Sequence, residues 1–214
     1  MNEQTKKELV AFFSKYNLIK FKKGQVIFKP GEEISGMAFI KSGYVRIYSV
    51  TKDGKELTVP MFKPMLFSSV LQTMVGIENK NYFQAISPVE MWVAPKDEAK
   101  KFIDENPEIR EKLTKMVLSD FIELSNNLQK IIYGDAYTKV ASLVYSMVNK
   151  SEGKDKNVEI KFSTPHRMIA SMTGLTRETV TLQLLKLQKD GFLSTKGRHL
   201  VIKDLQKLEK LASL

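Results

Sequence analysis

Residues 174–193 read GLTRETVTLQLLKLQKDGFL, and this stretch is the most informative one in the C-terminal part of the chain. Thr176 is a typical helix N-cap, because its hydroxyl can accept a hydrogen bond from a backbone N–H at the helix start. Gly191 suits the left-handed position that often ends a helix. A buried helical stripe is indicated by three apolar residues at i, i+4 and i+7: Val180, Leu184 and Leu187. The stretch therefore predicts one capped amphipathic helix.

The outer face of this helix is polar at its entrance. Arg177, Glu178 and Thr181 fall together there, with Leu182 and Leu185 beside them. One interpretation is an ordinary solvent face, on which Glu178 complements the positive helix end. The other is a surface that reads a partner. This helix alone leaves both interpretations open.

The flanking residues complete a recognisable motif. Residues 163–174 predict a second, shorter helix, and Gly174 with Leu175 forms the turn between the two helices. After the second helix, STKGRHLVI (194–202) predicts a two-stranded wing that turns at 196–198. Two helices joined by a short glycine-containing turn, followed by a wing, predict a winged helix-turn-helix.

Residues 163–203 resemble the DNA-binding domain of the CRP/FNR family of bacterial transcription regulators. The run T-R-E-T-V, followed by L-x-x-L-x-x-x-G-F-L, is similar to the recognition helix of that family. The resemblance implies double-stranded DNA as a partner, with base edges read by Arg177, Glu178, Thr181 and Leu182. It also implies phosphate contacts from His166, Arg167, Thr176, Thr179, Lys196 and Arg198.

The base-reading set departs from the family at one position. The family usually has arginine where this chain has Leu182. Arg177 can pair with guanine O6 and N7, and Glu178 can accept from cytosine N4. Leu182 can instead contact a thymine methyl group, so we expect a different preference at one base step.

Charge and cysteine content narrow the classes of function. The chain has 214 residues, a formal net charge of +10 and a pI of about 9.5, which suits a polyanionic partner. There is no cysteine, which excludes structural disulfides and cysteine-ligated iron–sulfur clusters. No apolar run reaches the roughly 18 residues of a membrane span. The N-terminus lacks a secretory signal, so we expect a cytoplasmic location and no membrane partner.

The first half of the chain is rich in short β-type runs. VIF, MAFI, YVRIYSV, ELTVPMF and VEMWVA are separated by glycine- or proline-containing turns between residues 18 and 95. This pattern is typical of a β-barrel or jelly roll. The predicted fold class is therefore α+β: an N-terminal double-stranded β-helix (jelly roll) sensor domain over 1–106, a long dimerisation helix and hinge over 107–134, and a winged helix-turn-helix over 135–214.

Residues 22–32, 39–47 and 52–56 resemble the cyclic-nucleotide-binding β-roll of the same family. Four glycines stand where that fold turns: Gly24, Gly31, Gly43 and Gly54. The cassette that binds the cyclic AMP phosphate, G-E-L followed by R-S-A or R-T-A, is missing. Ser68 and Ser69 stand near the expected Gly-Glu, and Phe83 and Gln84 precede Ala85 where Arg-Ser would stand. We therefore expect an effector other than cyclic AMP.

The remaining sensing chemistries need residues that the β-roll lacks. The two histidines, His166 and His199, lie in the DNA-binding part, so a haem or cupin-type metal site has no ligands in the roll. We expect no metal and no cofactor. A pocket for an uncharged or weakly charged molecule could be lined by Phe67, Ser68, Ser69, Tyr82, Phe83, Gln84, Leu124 and Asn127. The alternative is that the aromatic residues simply fill the core of the roll.

Residues 107–133 predict one long helix with a heptad seam. Apolar residues recur at steps of three and four and predict a dimer interface of parallel helices: Val117, Phe121, Leu124, Leu128 and Ile131. The alternative, a helix packed only on its own roll, is weakened by a second apolar side at Leu113, Met116 and Ile122. Gly134 and Asp135 interrupt the pattern and predict a hinge, with Asp135 capping the next helix.

These features predict a homodimeric transcription regulator of the CRP/FNR type, not an enzyme. A dimer suits a palindromic operator with two half-sites. The resemblance implies RNA polymerase as a further partner and leaves an unidentified small-molecule effector open. Two alternatives remain at this point: a DNA-binding regulator without an effector, and an enzyme on a cupin-like roll.

Overall fold

The computed structural model describes residues 3–62, 67–148, 158–160, 165–197 and 199–212. The chain divides into two compact units. The first contains residues 1–50 and 58–121, and the second contains residues 51–57 and 122–214.

The N-terminal part is a β-roll flanked by helices. Its elements, in chain order, are α1 (Glu3–Phe13), β1 (Leu18–Phe21), β2 (Val26–Phe28), β3 (Gly36–Ser42), β4 (Val45–Val50), β5 (Glu56–Phe62), β6 (Phe67–Ser68), α2 (Val70–Met74), β7 (Tyr82–Ala85), β8 (Val89–Pro95) and α3 (Lys96–Glu105). Two four-stranded sheets form among the described residues, with strand orders β1-β8-β3-β6 and β2-β7-β4-β5. This confirms the jelly-roll prediction, although α1, α2, α3 and three short strands were not predicted.

Strand β3 serves two hydrophobic cores, because successive side chains of a strand point to opposite faces. Ala38 and Ile40 face the interior of the roll, where they meet Phe83 and Met91 from the other strands. Residues on the opposite face of β3 pack against the flanking helices in a second core. That second core, the helix-side core, contains Met37, Phe39, Leu9, Phe13, Phe67, Trp92 and Ile103.

The predicted turn glycines all have left-handed backbones. Gly24, Gly31, Gly43 and Gly54 have φ of +89°, +78°, +89° and +74°. Gly43 is also sterically required, because a Cβ atom there would lie 2.1 Å from the Pro88 carbonyl oxygen. The glycine prediction is therefore confirmed.

One long helix, α4 (Pro107–Tyr133), follows the roll and contributes residues to both units. Its first turns pack on the helix-side core through Ile109, Leu113 and Met116. The next turns carry large apolar side chains that are exposed in the single chain. No helix among the described residues is both long enough and apolar enough to span a membrane.

The C-terminal part is a winged helix-turn-helix, as predicted. It comprises α5 (Ala136–Ser146), β9 (Val158–Glu159), α6 (His166–Thr173), α7 (Arg177–Lys189), β10 (Leu193–Lys196), β11 (His199–Ile202) and α8 (Leu205–Ala212). The Asp135 side chain accepts from the Thr138 N–H at 2.7 Å, which confirms the predicted cap of α5. The wing is three-stranded instead of two-stranded, because β9 pairs with the outer side of β11.

Candidate nucleic-acid interface

Helix α7 is fixed at both ends by its own sequence. The Thr176 hydroxyl accepts from the Thr179 N–H at 3.2 Å, which confirms the predicted N-cap. At the other end, the Phe192 N–H donates to the Leu187 carbonyl and the Gly191 N–H donates to the Gln188 carbonyl. This is the Schellman arrangement, and Gly191 adopts the required φ of +80°. Local hydrogen bonds therefore fix where α7 begins and where it ends.

One face of α7 is anchored in the core, and the other faces outward. Val180, Leu184 and Leu187 are buried, as the stripe predicted. Arg177 and Glu178 are exposed at the first turn. The apolar residues beside them are exposed too, with Leu182 63% and Leu185 56% accessible. Glu178 and the two leucines are thus presented on the side away from the core.

The two helices of the motif are joined by a side-chain contact. His166 opens α6, and its Nδ1 lies 2.8 Å from the Thr181 hydroxyl oxygen. The Thr181 hydroxyl also donates to the Arg177 carbonyl at 2.9 Å. Of the predicted base-reading residues, Thr181 is therefore the one whose hydrogen-bonding groups are engaged within the motif. The turn between the helices is made by Gly174, whose φ is +69°.

The residues predicted to contact phosphate lie around this helix pair. The Arg167 side chain is 76% exposed and has one guanidinium nitrogen 3.0 Å from a Glu56 carboxylate oxygen. The Lys196 side chain is 79% exposed, and its ammonium lies 3.8 Å from Glu159. The Thr176 and Thr179 hydroxyls lie 2.9 Å from each other. Arg198 lies outside the described residues.

The wing is positioned by regular pairing. Strands β10 and β11 are antiparallel, with Leu193 opposite Ile202 and Lys196 opposite His199. The turn contains Gly197 with φ of +61°, which agrees with the predicted turn. His199 Nδ1 lies 3.0 Å from the carbonyl oxygen of Ile160, the residue that follows β9, so this histidine contacts the segment beside the wing.

Tyrosine contacts brace the scaffold behind the interface. The Tyr137 hydroxyl donates to Asp190 at 2.5 Å, and the Lys186 ammonium lies 4.4 Å from the centre of the Tyr137 ring. Burial raises the pKa of Tyr137, and the Asp190 carboxylate raises it further. Burial also raises the pKa of Tyr145 to about 12, with a further contribution from Glu209. Both tyrosines therefore keep their protons to a higher pH than an ordinary tyrosine does.

The predicted effector residues of the roll do not share one location. Phe67 packs with Phe39 in the helix-side core, at 5.5 Å between ring centres. Phe83 fills the interior of the roll. Ser68 pairs with Ala38 and so shares the interior face. For Phe67 and Phe83, these positions agree with the alternative in which aromatic residues fill the cores.

The other predicted pocket residues are held elsewhere. Tyr82 stacks on Tyr48 at 5.1 Å, on the side of β7 opposite Phe83. Ser69 has φ of +59°, accepts from the Ala38 N–H at 3.2 Å and lies 3.0 Å from the Gly36 carbonyl oxygen. Leu124 is exposed on α4. The Asn127 side chain lies outside the described part of the chain.

Sequence reasoning missed a buried arginine in the roll. Arg46 is the one charged side chain that is buried among the described residues. Its Nε donates to Gln84 at 2.8 Å, and its guanidinium carbon lies 4.1 Å from the centre of the Tyr48 ring. The Gln84 amide in turn donates to the Gly24 carbonyl. The alternation of side chains along β4 predicts that Arg46 and Tyr48 share one face of the strand. It does not predict that the Arg46 side chain is buried, because most arginines are exposed.

The predicted dimer seam is apolar and accessible in the single chain. Val117, Phe121 and Leu124 are 37%, 68% and 43% exposed. Leu113 and Met116 belong to the helix-side core, whereas Ile122, from the same predicted second side, is 58% exposed. The side chains of Leu128 and Ile131 lie outside the described part of α4. Within the described residues, no three His, Asp or Glu side chains cluster as metal ligands would.

Comparison with known proteins matches both parts of the chain. The cyclic nucleotide-binding domain family matches residues 18–106, and the Crp-like helix-turn-helix domain family matches residues 138–211. The global nitrogen regulator of a Nostoc species is 23% identical over 189 residues, covering 85% of this chain and 83% of that protein. The anaerobic regulatory protein of Pasteurella multocida is 23% identical over 216 residues, covering 99% and 77%.

The solved structures agree on the fold. FixK2 from Bradyrhizobium japonicum superposes with a TM-score of 0.80 at 20% identity, covering 93% of this chain and 98% of that one. At this identity, the likeness establishes the architecture and leaves the ligand and the target sequence to the residues themselves.

Proposed function

The chain belongs to the CRP/FNR family of transcription regulators, and from that premise we propose that it is a homodimer that binds a palindromic operator under the control of a small molecule other than cyclic AMP. Its relatives are transcription regulators, not enzymes, and its helix-turn-helix is a DNA-binding domain. The operator, the dimer, the effector, contact with RNA polymerase and a cytoplasmic location are proposals.

One observation carries the DNA-reading proposal: α7 exposes Arg177 and Glu178 in its first turn, at its capped end, while Val180, Leu184 and Leu187 are buried in the core. Side chains at the start of a recognition helix reach base edges in the major groove. Arg177 pairs with a guanine, and Glu178 accepts from a cytosine amino group. Exposed Arg167 and Lys196 flank this helix and neutralise phosphates.

The dimer proposal rests on α4. Val117, Phe121 and Leu124 follow the four- and three-residue steps of a coiled-coil seam and are exposed in the single chain. Parallel pairing of two such helices would bury them and present two recognition helices to two half-sites. A single chain would leave this apolar seam in contact with water.

The effector proposal rests on the residues of the roll. Between residues 67 and 87, Lys80 is the only cationic residue, and it is exposed. A cyclic nucleotide phosphate needs a charged partner and backbone N–H donors. The interior of the roll is instead lined by apolar side chains such as Phe83 and Met91. This composition suits an uncharged or weakly charged ligand.

The decisive experiment is enrichment of bound fragments from a random DNA pool by the full-length protein, with and without a metabolite extract. We expect a palindromic sequence, and we expect Arg177→Ala to relax its preference at one guanine per half-site. Enrichment that the extract changes supports an effector, and enrichment that it leaves unchanged supports the alternative of an effector-independent regulator. Failure to enrich any sequence would contradict the proposed function.

A further inference from the structure

The outward face of α7 carries an apolar patch that the fold does not cover. Leu182 and Leu185 are 63% and 56% exposed. From residue 135 onward, they are the only large hydrophobic side chains that are exposed among the described residues. Exposed apolar residues gathered at one point of a surface mark a binding site more often than scattered ones do.

The position of the two leucines on the helix is specific. At about 100° per residue, Glu178, Leu182, Leu185 and Lys189 fall within a sector of about 60°. This sector is centred opposite the buried stripe of Val180, Leu184 and Leu187. The two leucines therefore lie on the part of α7 that projects farthest from the core, in line with Glu178.

The surroundings indicate what covers these leucines. Arg177 and Lys189 are exposed on the same helix, and the patch is continuous with the face that carries Glu178. A cationic rim suits the phosphates on either side of a DNA groove. The apolar group that the major groove offers is the C5 methyl of thymine, and it distinguishes T·A from the other base pairs.

We propose that Leu182 and Leu185 are specificity-determining residues that pack on the C5 methyl groups of two thymines in each operator half-site. This inference rests on the proposed function and extends base reading to Leu185, one turn beyond the position where the family usually has arginine. Leu182 and Leu185 are separated by about 4.5 Å along the helix axis. Base pairs stack about 3.4 Å apart, so the two methyl groups belong to neighbouring base pairs.

The test removes the methyl groups without changing any base-pair hydrogen bond. Each thymine of the enriched operator is replaced by deoxyuridine at its two symmetric positions, and the full-length protein is titrated by fluorescence anisotropy. We expect two positions per half-site at which affinity falls about fourfold per methyl removed. Leu182→Ala should abolish the sensitivity at one position, and Leu185→Ala should abolish it at the other.

A matched control separates methyl reading from general weakening. Lys186→Ala lies on the same helix, but the Lys186 ammonium lies over the Tyr137 ring, so both sensitivities should persist in that variant. Alanine has the highest helix propensity, so the leucine variants should keep their circular dichroism spectrum.

Four outcomes would overturn the inference. The first is operator binding that depends on Arg177 but is insensitive to uracil at every position. The second is binding in which both leucine variants keep both sensitivities. Either result would refute the inference and leave the proposed function intact. A changed oligomeric state with unchanged uracil sensitivity would show that the leucines contact protein. Enrichment of no sequence would overturn the proposed function and this inference together.

Discussion

His166 Nδ1 lies 2.8 Å from the Thr181 hydroxyl oxygen, and this contact couples the first helix of the motif to the recognition helix. The single hydroxyl hydrogen of Thr181 is directed to the Arg177 carbonyl. His166 must therefore supply the hydrogen to the contact, which fixes its Nδ1–H tautomer. Thr181 thus orients the imidazole ring.

We expect His166→Ala and Thr181→Val to be non-additive in operator affinity. If Thr181 acts by orienting His166, the double variant should bind little worse than either single one, with a coupling of about 0.5–3 kcal/mol. Anisotropy titrations of the four proteins measure it. The control pair, His166→Ala with Lys196→Ala, shares no hydrogen-bond partner among the described residues and should be additive. Additivity in the first pair would mean that Thr181 contacts DNA on its own.

Arg177 and Lys196 should have separable roles. Arg177→Ala should weaken binding to the best operator by about 1–3 kcal/mol and relax the preference at one guanine per half-site. Lys196→Ala should weaken operator and random DNA alike and reduce the salt dependence by about one contact per subunit. Titrations on both DNAs at several salt concentrations distinguish the two. Equal weakening of both DNAs by Arg177→Ala would make Arg177 a phosphate contact.

Charge in the seam of α4 should dissociate the dimer. Phe121→Glu with Leu124→Glu places carboxylates where two helices would bury apolar side chains, so we expect monomers in sedimentation velocity and loss of specific DNA binding. Both residues are exposed in the single chain, so the fold should survive. Ser119→Glu, on the opposite side of the same helix, should leave the dimer unchanged. A dimer that persists in the double variant would place the interface elsewhere.

The cap of α5 should make stability depend on pH. The Thr138 N–H holds the pKa of Asp135 below its usual value of 3.8, so the capping contribution is present above that value and is lost as the pH falls through the folded-state pKa. Asp135→Ala should cost about 1 kcal/mol near neutral pH, and the difference should shrink below about pH 4. Asp135→Asn should retain the cap throughout. Urea unfolding across pH measures this, and a constant difference would contradict it.

Cyclic AMP should not bind at useful concentrations. The arginine and glutamate of the phosphate cassette are absent, and Phe83 packs into the interior of the roll. Calorimetric titration at millimolar nucleotide should show no saturable heat. A dissociation constant of about a micromolar, roughly 8 kcal/mol, would refute the expectation.

The recognition helix could be predicted from sequence because its determinants are local. Thr176 caps a backbone N–H three residues away, Gly191 closes the helix within one turn, and Val180 and Leu184 are one turn apart. The turn glycines of the roll are similar, since a positive φ is a property of single residues. These features depend only on residues that are close together in the sequence.

Tertiary structure decided the features that join distant parts of the chain. Gln84 and Arg46 are 38 residues apart and meet because β7 pairs with β4, which buries the guanidinium. The same pairing sends Phe83 to the interior and Gln84 to the opposite face. Strand alternation shows that neighbouring side chains diverge, but only the pairing of strands determines which face becomes a core. For that reason α7 could be predicted from the sequence alone, whereas the position of each predicted effector residue of the roll depended on the tertiary structure.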